Sequence, residues 1–162
     1  MKTQMTRVHL IALTFLIAIF LTLMPLPVGI MWMRPQWIFA VLLFWVIAIP
    51  SQYSVGTAWI IGLLADLVMG TPLGEHALIF VVLIYFISKL QNGIVHFPPV
   101  QQACAIGVFA ELNVTLHAFL LHTTGHDTHF ILDSLSAVTT AIIWPWLYAV
   151  LDPLRPPREF VY

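Results

Sequence analysis

Charge is what this chain has least of. Asp, Glu, Lys and Arg make up 8% of its 162 residues, against roughly 25% in soluble domains, so the chain does not encode a water-exposed globular surface. The net charge of -1 provides no polyanion-attracting face. No Lys/Arg run, P-loop, zinc-finger spacing or dinucleotide glycine pattern occurs, which argues against nucleic acid as a partner. The single cysteine, Cys104, excludes an intrachain disulfide and, in its apolar stretch, reads as an inert core thiol. Hydroxyls, histidines and acids form no spaced nucleophile motif. No catalytic residue, metal or cofactor is therefore assigned.

What is abundant is hydrophobicity: 60% of residues, with a mean hydropathy of +0.96, the composition of an integral membrane protein. Six apolar segments, about 8–24, 36–50, 54–69, 75–92, 99–121 and 130–151, are each long enough, or nearly so, to cross a ~30 Å hydrocarbon core as helices. The expected fold is all-α, one membrane domain over 1–162 built as a six-helix transmembrane bundle. Lys2 and Arg7 before Val8–Met24 imitate a secretory signal, but Pro25-Leu-Pro27 replaces a cleavage site, so the segment reads as an uncleaved helix. Pro50-Ser-Gln-Tyr-Ser54 divides the second and third segments. Five spans, with those two segments re-entrant, is the alternative.

Counting cations sets the orientation. With six spans and the N-terminus inside, Lys2, Arg7, Lys89, Arg155 and Arg158 fall on the cytoplasmic side and only Arg34 on the other, as the positive-inside rule requires. Five spans would put Arg155 and Arg158 outside. Both termini are thus expected in the cytoplasm, with membrane lipid as the surrounding partner.

Asp66, in Gly62-Leu-Leu-Ala-Asp66, is the most informative residue, because an ionised Asp at the centre of a membrane helix costs about 2.5 to 3.5 kcal/mol on insertion scales. Ala58, Gly62 and Asp66 share one helical face, and small residues let helices approach closely. The fifth segment repeats the device with Ala103, Gly107, Glu111 and Thr115. Asp66 and Arg34 are expected at the same outer side, which leaves two readings: a functional pair or docking point, and an internal salt bridge or helix-end cap. Asp133, Ser136, Ala137, Thr140 and Trp144 form a polar stripe expected to face the bundle or a partner, and Trp144-Pro145-Trp146 marks a kink and an inner-interface anchor. Glu111, nearer mid-membrane, suggests a proton path, but no ionisable groups continue inward from it. His117, His122, His126, Asp127 and His129 resemble metal-ligand material without the spacing of a recognised zinc site.

Arg34-Pro-Gln-Trp37, Ser54-Val-Gly-Thr57, Gly62-Leu-Leu-Ala-Asp66-Leu with Gly70, Leu73 and Gly74, and the late Trp144-Pro-Trp146 together resemble the rod shape-determining protein MreD family, most strongly over residues 33 to 90. The resemblance implies a non-enzymatic inner-membrane component of the bacterial cell-elongation machinery that partners MreC and acts with MreB, RodA and a class B penicillin-binding protein (a transpeptidase) in lateral peptidoglycan synthesis. Its implied six-helix core is also similar to substrate-binding subunits of energy-coupling-factor vitamin transporters. A small-molecule-binding transporter subunit is therefore the rival expectation. Asp66, Arg34, Gly62, Gly70 and Gly74 are expected to form a partner-binding or structural polar centre, with Glu111 and Asp133 as secondary intramembrane polar groups. Homo-oligomerisation is left open.

Overall fold

The computed structural model describes residues 2–49, 55–123 and 130–155, whose regular structure is helical, without strands. The helices are α1 (Lys2–Leu23), α2 (Trp37–Ala48), α3 (Val55–Met69), α4 (Glu75–Ile94), α5 (Pro99–Thr123) and α6 (Phe130–Leu151), with short 3-10 helices at Val28–Met33 and Asp152–Leu154. Bilayer hydrocarbon cannot hydrogen-bond a free amide, so apolar segments satisfy their backbones internally as helices. Four stretches, Gly29–Ala48, Glu75–Ile94, Pro99–Thr123 and Ile131–Leu154, are long and apolar enough to cross a membrane, with His9–Leu23 and Val55–Met69 shorter. The divide at 50–54 and the loop histidines His126 and His129 lie outside the described residues.

The second element is the centre of the bundle. Its sequence, Trp-Ile-Phe-Ala-Val-Leu-Leu-Phe-Trp-Val-Ile-Ala, is apolar on every side, and Ile38 through Ile47 are all buried, as expected of a helix enclosed by other helices. Twelve residues rise only about 18 Å. The preceding 3-10 turn and the extended Arg34-Pro35 supply the remaining length. Proline biases its predecessor away from helix, and Arg34 accordingly sits at φ -64, ψ 119.

Around this axis the chain folds as antiparallel hairpins, α3 with α4 and α5 with α6. At Gly62 the α3 and α4 backbones touch: a Cβ there would lie 2.3 Å from Ala77 Cα. Between α5 and α6 a Cβ on Gly107 would lie 3.0 Å from the Ala141 methyl. The Ala103, Gly107 and Glu111 face of α5 thus packs on α6 as a small-residue face, and the most buried side of the helix runs beside it through Gln102, Ile106, Ala110 and Asn113. Helix α6 continues through Pro145. Trp144 is core and donates to Gln102 Oε1 at 3.3 Å, so only Trp146, which is exposed, remains as the anchor.

Candidate functional site

The Asp66 carboxylate holds the turn between α3 and α4. Its Oδ1 accepts from the His76 backbone N–H at 2.8 Å and from the Thr71 hydroxyl at 3.0 Å, and lies 2.9 Å from His76 Nδ1. Its Oδ2 accepts from the Gly74 N–H at 2.8 Å. Those amides open α4, whose first-turn N–H groups have no partner inside the helix. A carboxylate there also matches the positive end of the helix dipole. The Asp66 carbonyl in turn accepts from the N–H groups of Gly70 and Thr71, closing α3. One residue thus ends one helix and starts the next.

Two glycines make the turn feasible. Gly70 has φ +71 and Gly74 φ +102, left-handed values that a Cβ disfavours. Both have open space around them, so backbone conformation is the requirement there. Gly62 is the reverse case, needed for proximity alone.

Arg34 does not pair with Asp66. Its Nη1 donates to the Thr22 carbonyl at 2.7 Å and its Nη2 to the Met24 carbonyl at 2.9 Å, which caps the C-terminal end of α1 with a cation, the favourable sign for that end. Of the two readings of the pair, the helix-end cap describes both residues, each at its own helix. Arg34→Gln is expected to lower stability by about 2–3 kcal/mol, since hydrogen bonds to charged groups contribute about 1.5–3 kcal/mol. Thermal unfolding in detergent measures this, with Arg34→Lys intermediate because an ammonium lacks the forked geometry.

Beside this turn lies a second polar cluster, in which the expected α6 stripe does face the bundle through Ser136 and Thr140, while Gln36 and Asn113 were not anticipated. The Gln36 side chain donates to the Ala110 carbonyl at 3.1 Å and to Ser136 Oγ at 3.2 Å, and accepts from Asn113 Nδ2 at 2.7 Å. Its backbone N–H donates to Thr140 Oγ1 at 2.9 Å. The start of α2 is thereby tied to both α5 and α6. A buried amide is costly unless bonded, so an amide inside an apolar segment was the available signal. Glu111 accepts from Ser134 Oγ at 2.8 Å, and Trp45 Nε1 donates to Thr14 Oγ1 at 3.0 Å.

These elements enclose a cavity of about 230 Å³ at the bundle end where α1 and α3 finish and α2 and α4 begin. Its polar lining includes Arg34, Gln36, His76, Asn113, His117, Asp133 and Ser136, and its apolar lining Met31, Trp32, Trp37, Phe39, Met69 and Phe80. The cavity is open on one side, where Met31 and Met69 are each 45% exposed. Among the described residues no group of three or more His, Cys, Asp or Glu is placed to hold a metal. Asp66 is fully enclosed behind the cavity wall, and Arg34, His76 and Asp133 line it. Gly62, Gly70, Gly74 and Glu111 do not.

A family model for the rod shape-determining protein MreD matches residues 2–153. This chain belongs to the MreD family. It is 34% identical over 145 residues to the rod shape-determining protein MreD of Haemophilus influenzae, covering 87% of each chain. The match spans every helix, so MreD-family membership extends to the Asp66 turn and the cavity together. No solved structure matches the chain.

Proposed function

We propose that this protein is a non-enzymatic scaffold of the bacterial inner membrane that maintains rod shape by binding MreC and so regulating lateral peptidoglycan synthesis with MreB, RodA and a class B penicillin-binding protein. Both termini face the cytoplasm, which directs the cavity to the outer side, where the soluble part of a single-span partner emerges. The observation that carries the reading is this open cavity, lined by aromatics and by the exposed Met31 and Met69, in a member of a rod-shape family. Methionine-lined surfaces adapt to apolar side chains of a partner, and Arg34 and the two imidazoles add hydrogen-bonding groups. The Asp66 carboxylate, fully buried and bonded through both oxygens to its own chain, supports this surface from behind.

Affinity capture from native membranes tests the proposal. The wild-type chain is expected to retain MreC, and Met69→Lys to lose at least about tenfold, because an interface core residue contributes upwards of 1.4 kcal/mol when it matters. Met69 is exposed and makes no structural hydrogen bond, so folded yield is expected to stay unchanged. The cavity also favours a second reading, a small-molecule-binding transport subunit, although about 230 Å³ is under the roughly 300–1,000 Å³ usual for ligand pockets. Recovery of an ATP-binding transport module in place of MreC would overturn the scaffold assignment.

A further inference from the structure

Where α4 meets α5 at the cavity, Glu75 Oε1 and His117 Nε2 stand 3.3 Å apart. Both atoms are buried, and neither makes an aligned hydrogen bond. The imidazole faces a second one, with the His76 and His117 ring centroids 5.0 Å apart. Glu75 belongs to the α3–α4 hairpin and His117 to the α5–α6 hairpin, so this contact bridges the two halves of the bundle at the edge of the cavity.

We propose that Glu75 and His117 form a protonation-dependent latch between the two hairpins, one that sets how wide the cavity stands. A carboxylate beside an imidazolium in a low-dielectric site is strongly attracted. Beside a neutral ring the same carboxylate meets either one N–H or a lone pair, and the attraction between charges is gone. Imidazole is the side chain whose charge ordinarily changes between about pH 5 and pH 8. Acid therefore closes the latch and alkali releases it. Among the described residues, Glu75 lies 3.3 Å from the His117 ring nitrogen, the His76 ring stands beside it, Arg34 before α2 and Asp133 on α6 line the same cavity, Asp66 on α3 is bonded to His76, and Glu111 and His122 lie on the same helix. The His76 ring is already engaged by Asp66 at 2.9 Å. Control of partner docking by the latch would rest on the scaffold reading, but the latch itself does not.

The isolated protein suffices for the test. Spin labels at Leu78→Cys on α4 and Phe119→Cys on α5, both exposed, in a Cys104→Ser background that removes the exposed native thiol, report the gap between the hairpins by electron double resonance. The mean distance is expected to lengthen by about 1–2 Å, the scale of helix shifts, from about pH 5.5 to about pH 8.5, and to become pH-independent in Glu75→Gln and in His117→Gln. Glu75→Gln keeps the size and hydrogen-bonding capacity of the side chain, so it remains informative even where His117→Gln fails to fold. A constant distance in the labelled parent, or a pH shift that persists in either variant, would overturn the latch.

Discussion

Gly62→Ala is expected to destabilise the protein more than an alanine at any glycine whose Cβ has room. The added methyl would sit 2.3 Å from Ala77 Cα and 2.6 Å from Ala77 N, against backbone that has no alternative rotamer. Overpacking ordinarily costs about 1–3 kcal/mol when side chains can shift. Here a whole helix must move, so the loss is expected at or above about 3 kcal/mol, a large part of the roughly 5–15 kcal/mol that holds a domain together. The same displacement would pull Gly74 and His76 away from Asp66. Gly29→Ala and Gly93→Ala provide the comparison, since a Cβ at either position meets nothing within 4 Å. Unfolding by sodium dodecyl sulfate in mixed micelles should place both close to the wild type and Gly62→Ala far below. Equal midpoints for all three would mean that the α3–α4 approach is not a constraint.

The second large effect is at Asp66 itself. Asp66→Ala removes the acceptor from the Gly74 and His76 amides, the Thr71 hydroxyl and the His76 ring at once. Breaking one side of a buried charged contact costs about 3–5 kcal/mol. Asp66→Asn separates shape from charge. Its amide oxygen can serve the three donors at Oδ1, but its NH2 then faces the Gly74 N–H, donor against donor, for a cost of about 1–3 kcal/mol. The expected order of unfolding midpoints is wild type, then Asn, then Ala. An Asn variant as stable as wild type but defective in MreC capture would instead assign the carboxylate to the partner.

These two residues also mark the extent to which the site was legible in the sequence. Six helices are readable because apolar runs in hydrocarbon have few ways to pair their backbones, and Asp66 is conspicuous because a carboxylate there needs bonds. Its partners are not readable from depth alone. Arg34 lies at the same end, but its guanidinium is taken by carbonyls at the end of α1, whereas two of the Asp66 bonds come from backbone amides eight and ten residues ahead, and backbone donors leave no mark in composition. The small-residue face of α5 was readable, and Gly107 meets Ala141 there, but the inward Gln102 and Asn113 were not, since both are polar by type and are satisfied only by partners from distant parts of the chain. The cavity was invisible for the most general reason, since it joins residues from Met31 to Ser136 that only the packed bundle brings together.

On the proposed scaffold function, the buried polar groups shape the protein and the open cavity carries its work. Met69→Lys alters the cavity rim without touching the Asp66 turn or the Gln36 network. The decisive measurement is cell shape in a rod-shaped host depleted of its own copy and supplied with this variant at wild-type protein level. Rounded cells, alongside rods from the unmodified chain, are the predicted result; rods of normal width from the variant would contradict it.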